Sequence, residues 1–135
     1  MLPCQPPGAG AHRRELGRRG EDLVAAWYEE HGYEVVCRNW RCGAGEIDIV
    51  ARQGALFVFC EVKTRSSSHF GAPAEAVGPA KQARLRRLAT AWFMSRRALA
   101  AGTPDRAQAW LRGGPARFDV AAVLGQTVQV IEAAF

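Results

Sequence analysis

The chain holds 135 residues with a formal net charge of +5, and 48% of them are hydrophobic against 23% charged. That length supplies one domain, since domains take about 100–200 residues, and the composition excludes a chain that is disordered throughout. No apolar run approaches the roughly 20 residues that cross a bilayer, and the opening MLPCQPPGAGAHRREL lacks the apolar core of a secretion signal, so a cytoplasmic protein without a membrane partner is expected.

Residues 1–12, rich in Pro, Gly and Ala, predict a disordered tail ahead of a single domain over 13–135. A helix is predicted over 14–31, with Leu16, Gly20, Leu23, Val24 and Trp27 on one face and Gly32 stopping it. Strands follow over 33–38, 46–52 and 56–64, the first two separated by a loop over 39–45 and the last two joined as a hairpin at Gln53-Gly54. The Ser, Gly and Pro content of 66–79 predicts a mobile connection. A second helix is predicted over 80–101, with Leu85, Leu88, Ala89, Trp92 and Phe93 on its apolar side. A short strand near 108–111 precedes a closing hairpin of 117–124 and 127–131 across Gly125-Gln126. The fold class expected is α/β: a central mixed sheet flanked by helices, in the order helix, three strands, helix, closing strands.

Cys4, Cys37, Cys42 and Cys60 form no C-x-x-C pair, so a zinc knuckle is not expected and the cysteines are read as thiols. Charge is unevenly spread. Between Glu75 and Asp105 no acidic residue interrupts Lys81, Arg84, Arg86, Arg87, Arg96 and Arg97, and the scarcity of lysine leaves arginine, the better bidentate phosphate ligand, as the dominant cation. Such a stretch suits a polyanionic partner.

The central hairpin carries the chemistry, GEIDIVA (45–51) followed by FVFCEVKTR (57–65). Strand alternation puts Glu46 and Asp48 on one face and Ile47, Ile49 and Ala51 on the other, while Phe57, Phe59, Glu61 and Lys63 share a face of the next strand. A two-residue loop at Gln53-Gly54 sets Glu46 opposite Glu61, whereas a four-residue loop sets Asp48 opposite Glu61. Either loop gathers the carboxylates and one ammonium on one face. A wet sheet face would also alternate this way. Two details oppose that reading: Phe57 and Phe59 share the charged face, and carboxylates opposed across strands repel unless a cation joins them. Hard oxygen ligands suit Mg²⁺ or Mn²⁺.

GEIDIVA and EVKTR, with Gly20-Glu21 upstream and RFDV (117–120) downstream, resemble the YraN-like family of endonuclease-like proteins. That family is similar to the PD-(D/E)xK nuclease superfamily and to archaeal Holliday junction resolvases, which implies a restriction-endonuclease-like fold. Carried over by position, the resemblance makes Asp48, Glu61 and Lys63 the catalytic set. Asp48, Glu61, the Val62 carbonyl and Glu21 become the ligands of Mg²⁺ or Mn²⁺, with Glu46 and Gln82 in supporting positions. Lys63 would orient water or stabilise the transition state. Arg41, Arg65, Lys81, Arg84 and Arg87 are the expected nucleic-acid contacts, the last three recurring along the second helix. Asp119 is read as structural. The activity implied is hydrolysis of nucleic-acid phosphodiester bonds, DNA favoured over RNA, by a protein that as a homodimer would cut both strands. The alternatives are a non-catalytic nucleic-acid-binding module on the same scaffold and an adaptor for an acidic protein.

Overall fold

The computed structural model describes residues 12–65, 77–100 and 115–135, with side chains described over 17–65, 77–98 and 115–135. The elements run α1 (His12–Glu30), β1 (Glu34–Cys42), β2 (Gly45–Gln53), β3 (Leu56–Arg65), α2 (Pro79–Ala100), β4 (Ala116–Leu124) and β5 (Thr127–Ile131). Residues 1–11, 66–76 and 101–114, which hold most of the expected tail, most of the connection and the short strand, lie outside the described residues. His12 already belongs to α1, so the helix starts within the stretch assigned to the tail.

All five strands form one sheet in chain order, antiparallel except for the β3–β4 pair, which is parallel and spans α2. A parallel pair needs a crossover, and a helix returning over the sheet is the usual one. Each helix covers one face. Val24, Ala25 and Tyr28 of α1 pack with Ile49, Ala51, Val58, Cys60, Ala121 and Val123. On the opposite face, Leu85, Leu88, Ala89 and Trp92 of α2 pack with Ile47, Val50, Phe57, Phe59 and Val120. This is the expected α/β class: a mixed sheet between two helices, consistent with a restriction-endonuclease-like arrangement.

Local chemistry explains the element ends. The Tyr33 N–H donates to the Tyr28 carbonyl at 2.9 Å and the Gly32 N–H to the Glu29 carbonyl at 3.2 Å, while Gly32 takes φ +85°, a left-handed cap that glycine adopts without steric cost. α2 opens on Pro79, whose missing N–H costs nothing in a first helical turn. The β2–β3 turn is Gly54-Ala55, one residue later than expected, with Gln53 opposite Leu56 and Gly54 at φ +60°.

α1 is rotated from the predicted face. Gly20, Glu21, Val24, Ala25 and Tyr28 are buried, whereas Leu23 and Trp27 are half-buried. Tyr28 decides the rotation, because its hydroxyl donates to Asp119 Oδ2 at 2.7 Å beneath the helix. At Gly20 a Cβ would collide with Thr64 Oγ1, so glycine lets α1 lie close to β3. β1 extends to Cys42 and absorbs most of the expected loop. Cys42 and Cys60 are free thiols, but Cys37 is disulfide-bonded, against the expectation of thiols throughout.

Candidate active site

The site forms where regular pairing around β2 fails. The β2–β3 register runs from Gln53↔Leu56 to Ile49↔Cys60 and ends there, while β3 stays paired to β4 as far as Arg65↔Leu124. On the other side of β2, pairing passes from Arg38↔Ile49 to Trp40↔Ile47 without joining Asn39 to Asp48, and Asn39 takes φ +52°. Asparagine is among the few residues that tolerate that region. The irregularity turns β2 over: Ile47 enters the α2-side core and Ile49 the α1-side core. Strict alternation had put both on one face, so that expectation is corrected by the break at Asp48.

In the resulting fork, the Val62 N–H donates to Asp48 Oδ2 at 2.8 Å, a carboxylate standing where a sheet would offer a carbonyl. Continuing the register would set Glu61 opposite Asp48, and both residues are only 8% exposed. Asp48 is held well above the ordinary carboxylate range, first by burial and then by the charges of Glu61, Glu21 and Glu46, with the Val62 hydrogen bond opposing them.

Glu61 Oε1 carries two ammonium groups, Lys81 Nζ at 2.5 Å from α2 and Lys63 Nζ at 3.3 Å from its own strand. Burial, then the adjacent Lys81, lowers the Lys63 pKa, so its proton leaves more readily than from a free lysine. For Lys81 burial also works against the charge, but the hydrogen bond to Glu61 and the carboxylate field outweigh it and raise the pKa.

Glu21 closes the site from α1. Its side chain is buried, Oε2 has no hydrogen-bond partner among the described residues, and burial raises its pKa although an Asn39 hydrogen bond and Arg38 lower it. Beside Val62, a cleft of about 630 Å³ opens between α1 and the β4–β5 turn, with Arg19 and Arg65 among its walls.

The sequence profile of the uncharacterised protein family UPF0102 matches residues 20–123, a span that includes every residue of this fork. The chain belongs to family UPF0102. A UPF0102 protein of Acidothermus cellulolyticus is 43% identical over 133 residues, which cover 95% of this chain and 98% of that protein. One from Leifsonia xyli is 57% identical over 82 residues, 61% of this chain and 70% of its own. Another from Streptomyces griseus is 62% identical over 81 residues, 60% of this chain and 68% of its own.

In this UPF0102 chain, Asp48, Glu61, Lys63 and Val62 meet at the fork and Glu21 lies near enough for its charge to act on Asp48, whereas Glu46 and Gln82 engage other partners. Glu46 is exposed and accepts a hydrogen bond from Arg41 Nε at 2.8 Å across the β1–β2 pair, so it reaches Asp48 only through its charge, while Arg41 itself stays exposed. Gln82 Nε2 donates to the Val77 carbonyl at 3.0 Å, a contact that ties down the start of α2. Lys81 leaves the expected phosphate track for Glu61. Arg84 and Arg87 remain exposed on α2. Asn39, read from the sequence as a loop residue that could clamp nucleic acid or cap the strand, instead lies within β1 and hydrogen-bonds Glu21; an asparagine between two strand-like runs was the available signal for its positive φ.

The donors at the fork are hard oxygens, and one buried carboxylate oxygen, Glu21 Oε2, lacks a partner among the described residues, so the set fits Mg²⁺ or Mn²⁺ in chemistry. Among the described residues no three His, Cys, Asp or Glu side chains are already assembled as a metal cluster. Among the described residues no helix is long and apolar enough to cross a membrane.

Proposed function

We propose that this protein is a metal-dependent nuclease of the PD-(D/E)xK type that hydrolyses nucleic-acid phosphodiester bonds, with DNA favoured over RNA. One observation carries the reading: two buried carboxylates, Asp48 and Glu61, share a strand fork with two lysine ammonium groups. A fold gains no stability from opposed buried carboxylates, and a protein that only bound phosphate would be repelled by them. A Mg²⁺ or Mn²⁺ ion held by Asp48, Glu61, the Val62 carbonyl and Glu21 would supply a nucleophile at neutral pH and neutralise charge on the phosphoryl oxygens.

The chain's own groups do the remaining work. The Val62 N–H fixes the orientation of the Asp48 carboxylate, leaving Oδ1 for a ligand. Lys63, on the same strand face as Glu61, offers a proton to the developing charge, and its lowered pKa makes that proton easier to give. Arg84 and Arg87 lie exposed on the helix that delivers Lys81, where they can meet the phosphate backbone outside the reacting group.

The test is a cleavage screen over labelled linear, flapped, branched and single-stranded DNA and RNA with Mg²⁺ or Mn²⁺, run beside Lys63→Ala. Metal-dependent cleavage by the wild type and a loss of roughly 10²-fold or more in the variant are expected. Binding without cleavage of any substrate would assign the scaffold to a non-catalytic nucleic-acid-binding module. Unchanged cleavage by Lys63→Ala would remove that lysine from the mechanism.

A further inference from the structure

Lys81 was placed by its sequence among phosphate contacts, yet its half-buried ammonium sits on Glu61 in the acidic fork. Lys81, Leu85, Leu88 and Trp92 follow one another at helical spacing, and the last three are core residues, so Lys81 is the first member of the stripe that α2 lays on the sheet. The helix start that carries it is pinned by the Gln82 N–H to the Gly78 carbonyl at 2.9 Å and by Gln82 Nε2 to the Val77 carbonyl at 3.0 Å. The Lys81 ammonium is therefore delivered to Glu61 by packed structure rather than by a wandering surface side chain.

Its position on the carboxylate has a consequence for charge. Lys81 and Lys63 both sit on Glu61 Oε1, at 2.5 and 3.3 Å. The two ammonium groups offset the carboxylates only in part, since Glu21 and Glu46 add their charges at Asp48. A divalent cation that takes Glu61 Oε1 has to compete with the ammonium groups already on that oxygen. Lys63 is tethered on the same strand two residues from Glu61, whereas Lys81 reaches in from another element; both side chains are about a quarter exposed, 27% and 26%, so it is the separate tether and not exposure that lets Lys81 leave.

We infer that Lys81 is an exchangeable internal cation: it holds Glu61 in the metal-free protein and must be displaced when a divalent ion binds, which makes Lys81 a positioning residue that sets the metal affinity of the site. The inference rests on the proposed metal-binding role of Glu61 but not on any cleavage of nucleic acid. Once displaced, the ammonium stays within one side-chain length of the fork, where it can meet the anionic substrate that the metal recruits.

The experiment is a Mn²⁺ titration of the full chain without nucleic acid, followed by calorimetry, for the wild type, Lys81→Met and Lys81→Arg. Lys81→Met keeps the aliphatic stem and removes the competitor, so it should bind Mn²⁺ about three- to tenfold more tightly, the scale of one partly exposed ion pair. Lys81→Arg keeps the charge in a planar fork that grips a carboxylate with two hydrogen bonds, so it should bind Mn²⁺ no more tightly than the wild type. This variant retains the ion pair and provides the comparison if Lys81→Met fails to fold: tighter binding by Lys81→Arg would contradict the exchange. Equal or weaker binding by a folded Lys81→Met would overturn it while leaving the nuclease reading intact. Absence of Mn²⁺ binding in all three proteins would overturn both.

Discussion

Two buried aspartates on this sheet face opposite fates. Asp119, on β4, is fully buried and completely served: Tyr28 Oη donates to Oδ2 at 2.7 Å, Arg117 grips both oxygens at 2.9 Å, and the Ala133 N–H donates to Oδ1 at 3.0 Å. Arg117 also donates to the Tyr33 hydroxyl at 3.0 Å, so the guanidinium is itself held. Asp48 accepts one backbone hydrogen bond and faces the charges of three glutamates. The first arrangement spends its polar groups on joining α1, β4 and the C-terminal segment. The second leaves a charge imbalance that only a ligand or a proton relieves, and such unrelieved groups mark functional sites.

The contrast breaks first at Asp119. Asp119→Ala strands the Arg117 guanidinium and the Tyr28 hydroxyl, so it should destabilise the fold by about 3–5 kcal/mol in urea unfolding. A loss below about 1 kcal/mol would mean that the network contributes little beyond an ordinary hydrogen bond. Tyr28→Phe removes only one donor of several and should cost about 1 kcal/mol by the same measurement.

Protonation of the fork carboxylates couples to folding. Asp48 and Glu21 have folded pKa values raised above 3.8 and 4.5, so the folded protein holds more protons than the unfolded chain once pH rises past those values. Metal-free stability should therefore fall as pH climbs from that acid range toward the raised values, and Asp48→Asn should flatten the fall. A parallel pH profile in the variant would show that Asp48 is not the strained group. Smallest of all, Arg84→Ala with Arg87→Ala should change stability by no more than about 0.5 kcal/mol, since both side chains are exposed. The same pair should flatten the salt dependence of nucleic-acid binding by about one unit of slope for each lost contact.

Much of this architecture was legible in the chain because its period is strong. The closing hairpin around Gly125-Gln126 matches β5 at both ends, and the glycine takes φ +61° as such a turn requires. The apolar side of α2 was read correctly through Leu85, Leu88, Ala89 and Trp92. α1 misled because Trp27 and Leu23 weigh heavily in any apolar count, whereas Tyr28 is buried by a polar partner 91 residues away in sequence. That long-range bond moves Glu21 from the edge of the arc into the buried stripe. The carboxylate pairing was foreseen only as one of two loop registers, since a single-residue shift of the turn to Gly54-Ala55 chose between them. The reversal of β2 at Asp48 escaped because nothing in the β2 run signals it: the irregular backbone facing it, Asn39 at φ +52°, lies on the neighbouring strand. Lys81 was assigned by charge spacing along one helix, which says nothing of Glu61, the ion-pair partner that the fold brings to it from another element.

Whether Asp48 belongs to a cation site is decided by thermal melts of the wild type and Asp48→Asn, in chelator and in Mn²⁺ near neutral pH. In chelator the variant should melt at or above the wild type, because it loses a buried charge held beside other carboxylates. With Mn²⁺ at 100 times its dissociation constant the wild type should gain about 2.7 kcal/mol and overtake a variant that gains much less. Equal metal-induced shifts in the two proteins would contradict the account and return the fork to an ordinary sheet face.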